Sequence, residues 1–284
     1  MKFKLIILLM SLSQLSFAQD DLLDELEAEA TNTHTTFSYP TFKTLKIVNL
    51  QSTKVASKGD IYLYVSHRFG TIKDGVSTLF GLDYANTKIE LLYGITDYLQ
   101  VAVSRESVRK TYAGSAKLKF TEQSNRFPLN ITGYGAINVN TELSEKQYPK
   151  LLFFDRLSYA SQLLISRRFG DRLSVEVAPT FIRQNLVLEP FQDHNQIALG
   201  LGARFKLNSR VSINADYSHN FSRAEASVYK NPLSIGVDLE TGGHVFQLMF
   251  TNAQSANEPG LITNANGDWS KGDIFFGFNI VRVF

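Results

Sequence analysis

The residues here best suited to catalysis or metal binding are five histidines, His34, His67, His194, His219 and His244, with the serines and carboxylates around them. A zinc hydrolase of the HExxH kind needs two imidazoles one helical turn apart and a glutamate between them. No histidine in this chain has that spacing or a neighbouring set of carboxylates. The GxSxG elbow of an α/β serine hydrolase is missing as well. Asp193-His194 is the best polar pair. A barrel can assemble a triad from residues far apart in sequence, so a lipid-modifying hydrolase remains as a third reading behind two non-enzymatic ones. Cysteine is absent, which rules out disulfides, thiolate nucleophiles and cysteine-bound metals. Glycines 133, 135, 200, 202, 242 and 243 form no phosphate loop, and no basic aromatic cluster suggests nucleic acid. No catalytic, cofactor-binding or metal-binding residue is assigned.

A second group of polar residues is more regular. Arg68, Lys88, Glu90, Glu176 and Arg204 each sit on the polar face of an alternating run. The stretch 194–221 shows the element that carries them. Ile197, Leu199, Leu201, Ala203 and Phe205 alternate with Gln196, Ala198, Gly200, Gly202 and Arg204. After Asn208-Ser209 the alternation restarts at Val211, Ile213, Ala215 and Tyr217. Period two across a tight turn is an antiparallel hairpin. Similar runs occupy 60–69, 87–95, 98–106, 110–120, 128–139, 157–169, 172–182, 233–240, 243–251 and 273–284. With the 194–221 pair, that makes twelve strands.

One face of each strand is apolar, and the other is polar or small. A soluble sandwich would bury the apolar face, whereas a membrane barrel turns it to lipid. The connections decide between them. Short links (96–97, 121–127, 170–171, 208–209, 241–242) alternate with long ones (70–86, 140–156, 183–193, 221–232, 252–272). Only the link near 107–110 breaks the rule. Short periplasmic turns and long outer loops belong to a transmembrane antiparallel up-and-down β-barrel, all-β in class. Closure also removes the strand edges that lipid cannot satisfy. The five charged residues then line the lumen, and an even strand count leaves both ends in the periplasm.

The chain ends support export. Lys2 and Lys4, an apolar run and Ser16-Phe17-Ala18 form a signal peptide over 1–18. Residues 19–57, acidic and then rich in threonine and asparagine, read as a periplasmic arm. The arm is either a plain linker or a contact for a periplasmic protein. The barrel spans 58–284. Phe276, Phe278, Ile280 and Phe284 give the last strand an aromatic pattern like the signal read by the barrel-assembly machinery. Arg282 interrupts it and is placed to snorkel at the rim. The implied location is the outer membrane of a Gram-negative bacterium, with its lipid as the surrounding partner.

Three motifs carry a resemblance: His67-Arg68-Phe69-Gly70, Leu79-Phe80-Gly81-Leu82-Asp83 and Tyr93-Gly94-Ile95-Thr96-Asp97. The chain from about residue 40 resembles the Bacteroidetes β-barrel family known as domain of unknown function 5777. The resemblance implies an outer-membrane location and no particular activity. The apolar Leu79, Phe80 and Leu82 beside Asp83 read first as a short helix or bend packed against the rim; the second reading is a loop folded into the lumen as a constriction or plug. Two functional readings lead: a narrow channel for small solutes, and a closed structural barrel or membrane anchor for a periplasmic complex.

Overall fold

The computed structural model describes residues 40–187, 189 and 191–284. The signal peptide and the acidic part of the arm lie outside the described residues. Twelve antiparallel strands form one closed barrel. In order they are β1 (Ile61–Thr71), β2 (Ala85–Gly94), β3 (Leu99–Glu106), β4 (Thr111–Thr121), β5 (Asn130–Asn140) and β6 (Leu157–Phe169). They continue as β7 (Leu173–Gln184), β8 (Asn195–Lys206), β9 (Val211–Asn220), β10 (Leu233–Thr241), β11 (His244–Thr251) and β12 (Phe275–Val283). Each strand pairs with its sequence neighbours, and β1 closes the ring on β12 with Val65 opposite Ile280 and Ser66 opposite Asn279.

Alternation sets the faces. On β1, Tyr62, Tyr64, Ser66 and Arg68 are buried inside, while Ile61, Leu63 and Val65 point outward. Ile89, Val103, Ile137, Leu163, Leu201, Ile213 and Leu248 extend the apolar exterior around the barrel, exposed to whatever surrounds it. A continuous apolar surface of this kind suits lipid and not water. Local chemistry makes the tight turns. Asn208 Oδ1 accepts from the amides of Arg210 (2.9 Å) and Val211 (2.8 Å). Gly170 and Gly242 take positive φ at the β6–β7 and β10–β11 turns, where a side chain would be strained.

One expectation is corrected, and one pair of alternatives is decided. The arm does not stay outside the barrel over its last part: residues 41, 42, 44–53, 55 and 56 are buried, and Lys43 is exposed. Their partners lie on strands far away in sequence, so the stretch reads as a linker until the barrel is closed around it. The loop at Leu79, Phe80, Leu82 and Asp83 does not fold into the lumen, and all four side chains are exposed. The Gly70 amide donates to the Gly81 carbonyl at 2.8 Å, and the two glycine backbones approach closer than any Cβ would permit. That clasp holds the loop over the rim, with Leu79 and Phe80 in left-handed conformation. A different outer connection, 252–267, turns inward and carries the short helix α1 (Glu258–Thr263).

Candidate functional site, the filled lumen

Two inserts occupy the barrel interior and meet inside it. The first is the N-terminal plug, residues 41–56. Thr41 accepts from Asn130 Nδ2 at the foot of β5, and Lys43 pairs with Glu240 near the β10–β11 turn (2.8 Å). The plug therefore starts at the short-turn end. Lys46 and Gln51 form an antiparallel bridge, and Ile47 N donates to Leu50 O (2.8 Å), so the chain reverses at Val48-Asn49. It returns to the same end, where Ala56 N donates to Gln100 Oε1 (2.9 Å) and Lys58 N to Asp97 Oδ1 (3.0 Å).

Polar groups hold the tip. Asp216 Oδ2 on β9 accepts three successive amides, from Val48 (3.0 Å), Asn49 (2.6 Å) and Leu50 (2.9 Å). A turn whose amides converge on one carboxylate is an anion-binding nest. Lys117 Nζ on β4 answers from the other side, donating to the carbonyls of Leu45 (2.7 Å) and Ser52 (2.9 Å). Gln247 and Asn279 bond the carbonyls of Ile47 (3.0 Å) and Val48 (3.1 Å). These partners satisfy backbone groups that the plug, lacking a sheet of its own, would otherwise bury unpaired.

The five predicted lumenal charges all face inward and are buried. Arg68 Nη2 donates to Asn49 Oδ1 at 2.5 Å and to Asn279 Oδ1 at 3.1 Å. Glu90 sits between Lys46 of the plug (2.7 Å) and Lys88 (3.3 Å). Glu176 accepts from Thr53 N (2.9 Å). Arg204 pairs with Glu240 (3.2 Å) and donates to Ser212 (3.0 Å). Three of the five, Arg68, Glu90 and Glu176, thus touch the plug directly; Lys88 reaches it through Glu90, and Arg204 through Glu240, which holds Lys43.

The second insert comes from the long-loop end. Glu106 receives Ser255 Oγ (2.9 Å), Ala256 N (2.5 Å) and Asn257 Nδ2 (2.7 Å). Arg223 in the β9–β10 connection donates to the carbonyls of Ile262 (2.7 Å) and Thr263 (3.2 Å) at the end of α1. A cation there meets the unpaired carbonyls and the negative end of the helix. Burial lowers the Arg223 pKa from the usual guanidinium value. Farther along the β11–β12 connection the Ser270 hydroxyl holds the Asp268 carboxyl below its ordinary value. The inserts touch where Gln51 Nε2 donates to Glu258 Oε1 (2.6 Å) and where Leu50 packs into one apolar cluster with Leu261, Ile262 and Ile182.

Small wall residues make the room. Gly94, Gly200, Gly202 and Gly236 all face the plug: a Cβ would overlap Ser57 O at Gly94 and Ile47 Cδ1 at Gly202, would press on Leu50 at Gly200, and at Gly236 would meet the Leu248 carbonyl with Val48 at contact distance. Two of the motifs quoted from the sequence belong to this arrangement. Arg68 grips the tip, and the Gly94–Asp97 segment receives the exit, with Gly59 N donating to Gly94 O at 2.8 Å. The described histidines lie elsewhere, and His34 is outside the described residues. His67 stacks on Phe278 (5.1 Å between centroids) on the outer face, His219 bonds Asn231 (3.1 Å), and His194 Nδ1 bonds the Gln184 carbonyl (2.7 Å). On the terminal strand, Arg282 lies over the Phe284 ring at 4.6 Å, and Phe276 and Phe278 stack with Phe69 and His67.

A closed twelve-stranded barrel with a lipid-compatible exterior and a polar, occupied interior is an outer-membrane β-barrel. The chain belongs to the membrane-bound β-barrel domain family DUF5777, whose model matches residues 42–284. The match begins inside the plug. No curated protein matches the chain. Among solved structures, the NanC porin is 7% identical with a TM-score of 0.49, over 78% of this chain and 98% of that one. The COG4313 outer membrane channel from Pseudomonas putida F1 is 14% identical with a TM-score of 0.48, over 81% and 97%. The KdgM porin is 7% identical with a TM-score of 0.47, over 79% and 98%.

Proposed function

We propose that the chain is a gated passage for small polar solutes across the outer membrane, kept shut by the plug. The observation that carries this reading is how the plug is held. Both of its legs leave at one mouth, and its tip is fixed by hydrogen bonds and ion pairs to a polar wall. A loop seated this way can withdraw without threading through the barrel. The wall it would uncover carries Arg68, Lys88, Glu90, Lys117 and Glu176, which water can solvate as well as the plug does. A purely structural barrel would more simply fill its interior with larger wall side chains than the glycines found here. A periplasmic protein that engages the residues before Thr41 would act on the plug directly.

Planar-bilayer conductance tests the reading. The mature chain should be mostly silent. A form lacking 40–57 should conduct more often, and one that also has 253–266 replaced by a short glycine-serine linker should conduct steadily. If both shortened forms fold and stay silent, the barrel is a closed structural element and the passage reading fails.

A further inference from the structure

Between the long connections lies a cavity of about 290 Å3, near the lower end of the roughly 300–1,000 Å3 typical of small-molecule sites. Its floor is the inward loop, at Ser255, Asn257, Pro259 and Gly260. Its walls are dominated by carboxamides, among them Asn138, Asn140, Gln184 and Asn264, with Tyr229 beside them. Two of these amides are incompletely satisfied by the protein. Asn138 is 2% exposed, and neither its Nδ2 nor its Oδ1 has a hydrogen-bond partner. Asn257 is 3% exposed; its Nδ2 donates to Glu106 while its Oδ1 has no partner. Buried polar atoms without partners are costly in a folded chain, and a hydrogen-bonding molecule placed against them removes that cost.

The chemistry of the lining selects the ligand. A carboxamide offers a donor and an acceptor side by side, which matches the paired donor and acceptor character of neighbouring hydroxyls. The charges at the cavity balance, with Arg109 and Arg156 against Glu106 and Asp155. Three of these four already have protein partners. Glu106 holds the inward loop, Asp155 accepts from Leu152 N (2.7 Å), and Arg156 donates to Leu143 O. A charged solute therefore finds little unspent countercharge. We infer that this vestibule binds a small neutral polyhydroxylated solute, a mono- or disaccharide, through the Asn138 and Asn257 amides. This deepens the passage reading by naming the solute class at its mouth, and binding itself needs no open lumen.

Saturation-transfer NMR on the detergent-solubilised mature protein tests it, with glucose and maltose as probes and galacturonate and glucosamine as charged controls. At least one neutral sugar should give saturable transfer, and the charged ones should bind at least tenfold more weakly. Asn138→Leu should weaken binding at least tenfold, and Asn138→Gln should recover part of it. Tyr229→Ala serves as a second lining variant should Asn138→Leu fail to fold. Absence of saturable transfer from both neutral sugars, equal or stronger binding of a charged one, or undiminished binding in a folded lining variant would overturn the site. The measurement involves no current. Silent bilayers with saturable transfer would remove the passage and keep the site; conducting bilayers without transfer would do the reverse.

Discussion

Asp216 shows how much one side chain can hold in this molecule. A single carboxylate oxygen takes the amides of Val48, Asn49 and Leu50, and within the turn they define Ile47 N donates to Leu50 O. Asp216→Ala leaves those donors without the carboxylate, and each buried orphan costs about 1–3 kcal/mol. Amide exchange over 45–52 should accelerate by at least a hundredfold in that variant, while amides in β6 and β7 keep their protection. Equal acceleration everywhere would mean that Asp216 supports the barrel and not the plug. Gly202 makes a complementary point. In an empty pore, serine there would be harmless. Here its Cβ would overlap the end of Ile47, a methyl that can rotate at a cost of roughly 0.5–1.5 kcal/mol. Gly202→Phe leaves no such escape and should expel the tip, read as new protease cleavage within 41–57 with the barrel intact.

At the scale of elements, the plug and the inward loop are the parts that reading the sequence missed or misplaced. The strands announce themselves through local alternation, but the plug has no period of its own. Its partners are Asp216, Glu176, Lys117 and Gln247, none of them near it in the chain. Two signals were there to be read. One is the apolar run Leu45–Leu50 inside an otherwise polar arm. The other is the set of glycines on inward positions of β2, β8 and β10, which weaken strands unless something approaches closely. The loop at 252–267 carries a similar signal in Ala253, Leu261 and Ile262, too apolar for an outer loop in water. Leu79 and Phe80 are as apolar as the residues that do enter the lumen, and the Gly70–Gly81 clasp helps hold them at the rim. The chain lacks cysteine, so Ile47→Cys with Gly202→Cys gives a clean test of seating. A short bifunctional thiol reagent should join the pair and abolish any conductance, and each single variant should remain unlinked. Failure to cross-link in the folded protein would place the plug elsewhere.

For the whole molecule, the strand count and the assignment of faces were legible because lipid imposes them on every strand at once. Leu201 and Arg204 on β8 illustrate it, one exposed outside and the other buried within. Leu201→Arg should cost about 2–4 kcal/mol if the site lies near the bilayer midplane, measured by reversible unfolding in lipid. A harmless outcome would invert the faces. Orientation has a separate check. A cysteine at Ala226, exposed in the β9–β10 connection, should react with an impermeant maleimide on whole cells, and one at Asp171 in the β6–β7 turn should not. Asn257, although on an outer connection, is buried and should stay unlabelled in the closed protein.

The bond from Arg68 to both Asn279 and Asn49 bears on how the molecule is made. Arg68 belongs to the first strand, Asn279 to the last and Asn49 to the stretch that precedes them both. The join between first and last strands is the one contact no hairpin can form locally, so it must wait until the whole chain has been delivered. Residues 41–57 are delivered before any strand, yet their seat on β9, β11 and β12 exists only at the end. Because both legs of that stretch lie at one mouth, it can be seated after the ring has closed. The newborn barrel would then pass through a leaky stage, ended when Asn49 reaches Arg68 and a stretch exported ahead of every strand becomes the last to settle.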